Sequence, residues 1–171
     1  MKGSVFVGAS VDGFIARKDG RLDFLPEEPE DHGYDAFVAT VDALVMGRNT
    51  YDTVLGFGSW PFTKRVYVLS NRELAPPPGG AKVERLHGTP QEVAAALDAR
   101  GVHHAYIDGG VTIQEFLRAG LIQRLIVTRV PVLIGTGLPL FGETSGDVRL
   151  KHVATRTFPS GLVQSEYEVV N

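Results

Sequence analysis

The sequence predicts an α/β protein: a mainly parallel sheet covered by helices, with an antiparallel hairpin at the carboxyl-terminal end. Three observations carry this. Short runs rich in β-branched residues (4–9, 43–46, 65–69, 104–107 and 121–130) alternate with segments whose apolar residues recur at helical spacing (34–41, 50–55, 90–99 and 112–119). Strands joined by covering helices produce that alternation. The last third breaks the rhythm: 148–158 and 162–169 are strand-like runs joined by Pro159-Ser160-Gly161 without a helix, which predicts antiparallel pairing. Finally, Thr89-Pro90-Gln91-Glu92 sets a hydroxyl at a helix N-cap, proline at the first helical position and an acid in the first turn, and Gly101 follows the end.

A chain of 171 residues with 43% hydrophobic and 22% charged residues can bury a core unaided, and one domain over 1–171 is expected. The proline-rich stretch 75–80 is the one segment resembling a linker, and its flanks are too small to stand as domains. A formal charge of -3 lacks the basic excess that phosphate-backbone binding requires, so no nucleic-acid partner is expected. The absence of cysteine excludes disulfides, thiolate ligands and a thiol nucleophile. The histidines at 32, 87, 103, 104 and 152 lack the spacing of a metal site, and no metal is expected. Nothing approaches the ~20 apolar residues of a membrane span. The first residues enter strand-like sequence without a signal-type apolar stretch, and a cytoplasmic location is expected.

In open α/β sheets ligands collect beyond the carboxyl ends of the strands, where strand-to-helix turns present free N–H groups. Two turns fit. Val45-Met46-Gly47-Arg48-Asn49-Thr50-Tyr51 offers a buried strand, a glycine, a cation and a hydroxyl opening a helix; an anion is its natural guest. Ala105-Tyr106-Ile107-Asp108-Gly109-Gly110-Val111-Thr112 brings an apolar strand to two glycines and a second helix start, where a pyrophosphate could lie against bare main chain. A third segment, Val66-Tyr67-Val68-Leu69-Ser70-Asn71-Arg72, ends a strand in polar groups and a guanidinium whose fork of donors matches phosphate oxygens.

The order of these pieces, preceded by Ser10-Val11-Asp12-Gly13-Phe14-Ile15-Ala16 and followed by Phe116-Leu117, resembles the dihydrofolate reductase superfamily over nearly the full chain. It looks closest to the branch that holds the reductase domain of bacterial riboflavin biosynthesis. The resemblance implies a three-layer fold around a mixed, mainly parallel eight-stranded sheet, with NADPH bound in an extended pose. It implies Gly47, Arg48 and Thr50 on one side of the phosphates and Asp108, Gly109, Gly110, Val111 and Thr112 on the other. Ser70, Asn71 and Arg72 would surround the adenosine end, and Gly8, Ala9 and Ile15 would flank the nicotinamide, the first two by backbone contact. Thr128 aligns with a threonine lining the substrate pocket, and Tyr34 and Phe37, on the helix beside the cleft, are pocket or core residues. The loop 131–141 resembles one that could close over substrate.

Several departures bear on chemistry. Folate enzymes carry a carboxylate on the first helix; an ungapped count matches Asp31 to it, whereas matching Phe37 to the helix aromatic puts Gly33 there instead. The first-loop tryptophan of folate enzymes has no equivalent, and the arginine that clamps the folate tail aligns near Lys64. Val111 stands where an arginine is frequent, which leaves Arg48 and Arg72 to meet a 2′-phosphate. Arg48-Asn49-Thr50-Tyr51-Asp52-Thr53 also differs from the riboflavin-pathway turn. Trp60-Pro61-Phe62 could wall a substrate site or anchor itself on the sheet. The expectation is an NADPH-dependent reductase of a small pterin- or pyrimidine-like heterocycle, with Asp31 as acid; the alternative is a non-catalytic nucleotide-binding or interaction protein that retains the fold. Alternation in 153–158 and 163–169 suggests a subunit edge and a homodimer.

Overall fold

The computed structural model describes residues 1–27 and 30–171. Its strands are β1 (Lys2–Ser10), β2 (Phe14–Ala16), β3 (Ala43–Gly47), β4 (Arg65–Leu69), β5 (Val83–Leu86), β6 (His104–Asp108), β7 (Arg124–Val130), β8 (Leu138–Pro139), β9 (Arg149–Thr157) and β10 (Val163–Val170). Four helices join them: α1 (Tyr34–Ala39), α2 (Arg48–Leu55), α3 (Pro90–Asp98) and α4 (Gly110–Arg118). Eight strands form one sheet in the order β5-β4-β3-β6-β1-β7-β10-β9, and β2 and β8 form a separate ribbon. Pairs from β5 to β7 are parallel, and β10 runs antiparallel to both β7 and β9.

Strand side chains alternate between faces, and here both faces are covered. Val5, Val45, Ile107 and Leu125 join Val93 and Leu97 of α3 and Ile113 and Phe116 of α4 in one core. Their strand neighbours Leu44, Met46, Tyr106 and Ile126 join Phe37 of α1 and Tyr51 of α2 in the other. Three layers result, as expected. The α3 start is a complete capping box, Thr89 Oγ1 accepting from Glu92 N and Glu92 from Thr89 N at 2.8 Å. The hairpin turn closes with Phe158 N donating to Leu162 O at 3.0 Å, and Gly161 supplies a φ of 91°.

The differences from the sequence reading have physical causes. β5, Val-Glu-Arg-Leu, pairs on one side only; an edge strand with two charges in four residues lacks the apolar run of a central strand. β2 and β8 are three and two residues long, below the length at which alternation is readable. β7 begins at Arg124 rather than 121, and α1 ends at Ala39 rather than 41. Among the described residues no helix is long and apolar enough to cross a membrane.

Candidate active site

β3 and β6 lie side by side, and their register pairs Met46 with Asp108. The next residues, Gly47 and Gly109, therefore leave the sheet together, each as the N-cap of a helix without a side-chain cap. The first-turn N–H groups of α2 and α4 are thus directed, unclaimed by capping side chains, into one cleft. The two elbows interlock. A Cβ on Gly47 would stand 3.0 Å from Thr112 Oγ1, and one on Gly109 would collide with Thr50 Oγ1. At Gly110 a Cβ would stand 2.9 Å from Pro139 O and 3.3 Å from Ile15 Cδ1, so the β2–β8 ribbon lies directly over the second elbow.

Two cavities of about 680 Å³ each meet at these elbows and share Asn49, Thr50, Gly109, Gly110 and Leu138. The first is polar and carries cations: Gly47, Arg48, Ser70, Asn71, Arg72, Val111 and Thr112 line it, joined by His87 and Gly88 after β5. Arg48 donates to Glu73 O at 3.0 Å and lies 3.6 Å from Asp52, so it also holds the 70–75 loop against α2. Ser70 Oγ donates to Arg72 O and accepts from Arg72 N, 2.8 and 3.1 Å, which fixes the turn while the Arg72 side chain has no ion pair among the described residues. His87 escaped the sequence reading because the strand preceding it did.

The second cavity lies on the α1/α2 face and is largely aromatic and aliphatic: Phe6, Gly8, Ile15, Leu25, Tyr34, Phe57, Pro61, Phe62 and Tyr106 line it. Phe6, Tyr34 and Tyr106 form an edge-on cluster with Phe37 behind them. The Asp108 carboxylate faces Tyr34 and Tyr106. Its Oδ1 accepts from Gly109 N at 2.9 Å, and its other oxygen has no partner among the described residues. Burial, only partly offset by that N–H, pushes its pKa up to about 6. Burial first, and then the charge of Asp108, push the Tyr34 hydroxyl up to about 12, so it stays a neutral donor. Tyr106, driven well above its ordinary range chiefly by burial, donates to Phe6 O at 2.9 Å.

Four expected site residues line neither cavity. Asp31 is exposed, and its carboxylate accepts from Gly33 N at 2.7 Å ahead of α1. The Ala9 side chain is fully buried, because a strand that turns Gly8 toward the cavity turns Ala9 into the opposite core, so only its backbone is left for the expected contact. Phe37 is core. Thr128 is buried, and its hydroxyl accepts from Gln164 Nε2 at 3.0 Å. Lys64 lines neither cavity, and Trp60 anchors on Tyr51 and Phe62 while Pro61 and Phe62 reach the cavity.

Sequence reading also left Asp12 without a role. Its carboxylate accepts from Ser10 Oγ at 2.6 Å, Ile134 N at 3.3 Å and Gly135 N at 2.8 Å, tying the first loop to the 131–141 loop that carries β8. The Ser10 hydroxyl above all, with the two amides, holds its pKa below the usual carboxylate range, against the opposing effect of burial.

A mainly parallel sheet with paired glycine elbows at adjacent strand ends and an antiparallel carboxyl-terminal hairpin is the fold of dihydrofolate reductase-like proteins. The chain belongs to the RibD C-terminal domain family, whose model matches residues 2–164. It is 41% identical to a protein from Shewanella sp. PV-4 that carries a riboflavin-biosynthesis name, with each chain covered over 100% and a TM-score of 0.92. It is 30% identical to the uncharacterized protein YwjB of Bacillus subtilis, covering 90% of both chains. The fold is also that of dihydrofolate reductase from Enterococcus faecalis, complexed with NADP(H), at a TM-score of 0.68 and 21% identity, covering 99% of this chain and 97% of that one.

Proposed function

We propose that the chain is an NADPH-dependent reductase of a small conjugated heterocycle, pterin- or pyrimidine-like. The single observation that carries this reading is the reciprocal packing of Gly47 on Thr112 and Gly109 on Thr50, at the junction of a cationic cavity and an aromatic one. A dinucleotide has that bipartite form. Its pyrophosphate fits the uncapped helix starts, and its adenosine phosphate fits the free Arg72 guanidinium with Arg48 and His87. Its nicotinamide fits the apolar face made by Gly8 and Ile15. Absent β-carbons at Gly47, Gly109 and Gly110 leave the cradle that such a group needs.

When bound, the cofactor supplies hydride. The protein's own residues orient and enclose: Ile15 and Leu138 cover the elbow, Tyr34 and Phe62 wall the acceptor, and the Asp12 tie keeps the covering ribbon in place. Titration with NADPH and NADH tests the reading. Saturable NADPH binding in the micromolar range, with a raised Tm and weaker NADH binding, is the expected result. A Tm unmoved by millimolar NADPH sinks it.

The same reading includes a cytoplasmic homodimer. All nine residues of edge strand β9 are exposed, Leu150 and Val153 among them at 43% and 46%, and a long open edge of that kind invites pairing. Sedimentation as a species of twice the 18.5 kDa chain mass is expected; a monomer at micromolar concentration rejects the dimer.

A further inference from the structure

We propose that Asp108 donates the proton in the reduction, and that the aromatic cavity takes a planar, phosphate-free heterocycle bearing a C=N bond. This rests on the reductase reading above and goes beyond it by naming the acid and the charge class of the substrate.

Geometry supports the acid. Asp108 ends β6 on the face it shares with Tyr106, one residue before the elbow that joins the two cavities. The residue lines the cavity, and its Oδ1 is fixed by Gly109 N at 2.9 Å. Asp31, the acid that alignment offers, is solvent-exposed and engaged with Gly33 N. The groups facing Asp108 are the Tyr34 hydroxyl from α1 and Tyr106 on its own strand, with Met46 beside it on β3. Lys18 and Asp19 stand elsewhere in the lining. No cation pairs with Asp108, so its proton is retained to a higher pH than an ordinary carboxyl's.

Charge distribution supports the substrate class. Arg48 and Arg72 belong to the other cavity. The aromatic one holds Asp19 and Asp108 against the single cation Lys18. Asp19 is paired with Arg21 at 2.7 Å, and a protonated Asp108 carries no charge, so the cavity offers a phosphate dianion none of the guanidinium contacts of the other one and suits a neutral ring that can hydrogen-bond Asp108 and the Tyr34 hydroxyl. In the step itself, hydride from the dihydronicotinamide forms a C–H bond at the carbon of C=N. The π electrons pass to nitrogen, which takes the Asp108 proton, and the nicotinamide leaves oxidised. Solvent reprotonates the carboxylate.

The test uses the full chain, NADPH, 6-methyl-7,8-dihydropterin as a phosphate-free C=N acceptor, and a ribosylaminouracil phosphate as its anionic counterpart. Carboxyl-labelled aspartate followed by NMR needs neither a variant nor turnover, and one resonance titrating near pH 6 is expected to vanish in Asp108→Asn. That variant is expected to lose about 100-fold or more in kcat with the dihydropterin, measured at saturating NADPH. Wild-type turnover should fall as pH rises past that midpoint, and the phosphate should be reduced poorly. Retention of kcat by Asp108→Asn, an ordinary aspartate titration, or preference for the phosphate overturns the proposal while leaving NADPH binding intact. Failure of the wild-type chain to bind NADPH instead sinks the reductase reading and this proposal with it.

Discussion

Thr112 Oγ1 lies 3.0 Å from the point where a β-carbon on Gly47 would stand, and Thr50 fills the corresponding place against Gly109. Each helix start therefore uses its hydroxyl residue to meet the glycine of the other, so a side chain at either elbow must displace a threonine of the opposite helix. Gly109 is the stricter of the two, since its φ of 93° lies in the region that side chains disfavour. Gly109→Ala is expected to cost about 1–3 kcal/mol of stability and to abolish NADPH binding. A denaturation midpoint with an equilibrium titration reads both, and undiminished binding would show that the elbow does not approach the ligand.

How much of this was legible depends on whether a signal was local. The elbows were readable because glycine, hydroxyl and strand end fall within six residues of one another, as in Met46-Gly47-Arg48-Asn49-Thr50-Tyr51. The capping box of α3 was readable for the same reason. His87 was not, because the edge strand before it carries charge instead of an apolar run. The Asp108 carboxyl was legible only as part of the second elbow. One alignment along the chain puts Asp31 at the acid position and another puts Gly33 there, whereas the pairing of β3 with β6 sets Asp108 on the cavity face from a remote stretch of sequence.

Arg72 and Arg48 are expected to separate on mutation. Arg72 lines the cationic cavity without an ion pair, while Arg48 also holds Glu73 O. Arg72→Ala should weaken NADPH by about tenfold, in keeping with loss of one charge-assisted contact, and leave NADH nearly unchanged. Arg48→Ala should weaken both and lower Tm, because the 70–75 loop loses its tie. Equilibrium titration with the two nucleotides decides this, and equal losses for Arg72→Ala would place that guanidinium away from the 2′-phosphate.

Asp12 connects two loops through Ser10, Ile134 and Gly135. Its folded pKa is below its unfolded value, so its contribution to stability is present above the ordinary carboxylate range and is lost as pH falls through the depressed value. Asp12→Ala should lower the protection of the Ile134 and Gly135 amides, relative to intrinsic exchange at the same pH, by an order of magnitude or more at neutral pH, and wild type should lose the same protection on strong acidification. Protection unchanged by the substitution would mean that the ribbon is held by the β2–β8 pairing and Val11 N to Val132 O alone.

Asp108 carries the opposite sign. Its folded pKa, about 6, stands above the unfolded value near 3.8, so the protonated carboxyl is the form the fold prefers. That preference is fully present below the unfolded value and is lost as pH rises through about 6, leaving a charge among aromatic rings at neutral pH. Asn preserves the acceptor for Gly109 N and carries no charge. Asp108→Asn is therefore expected to raise stability at pH 8, by no more than about 3 kcal/mol, with little effect at pH 4, even as it impairs proton delivery. Urea unfolding at the two pH values measures the difference directly. A substitution that destabilises equally at both would mean that the carboxylate is solvated through the cavity mouth and that burial does not govern its charge.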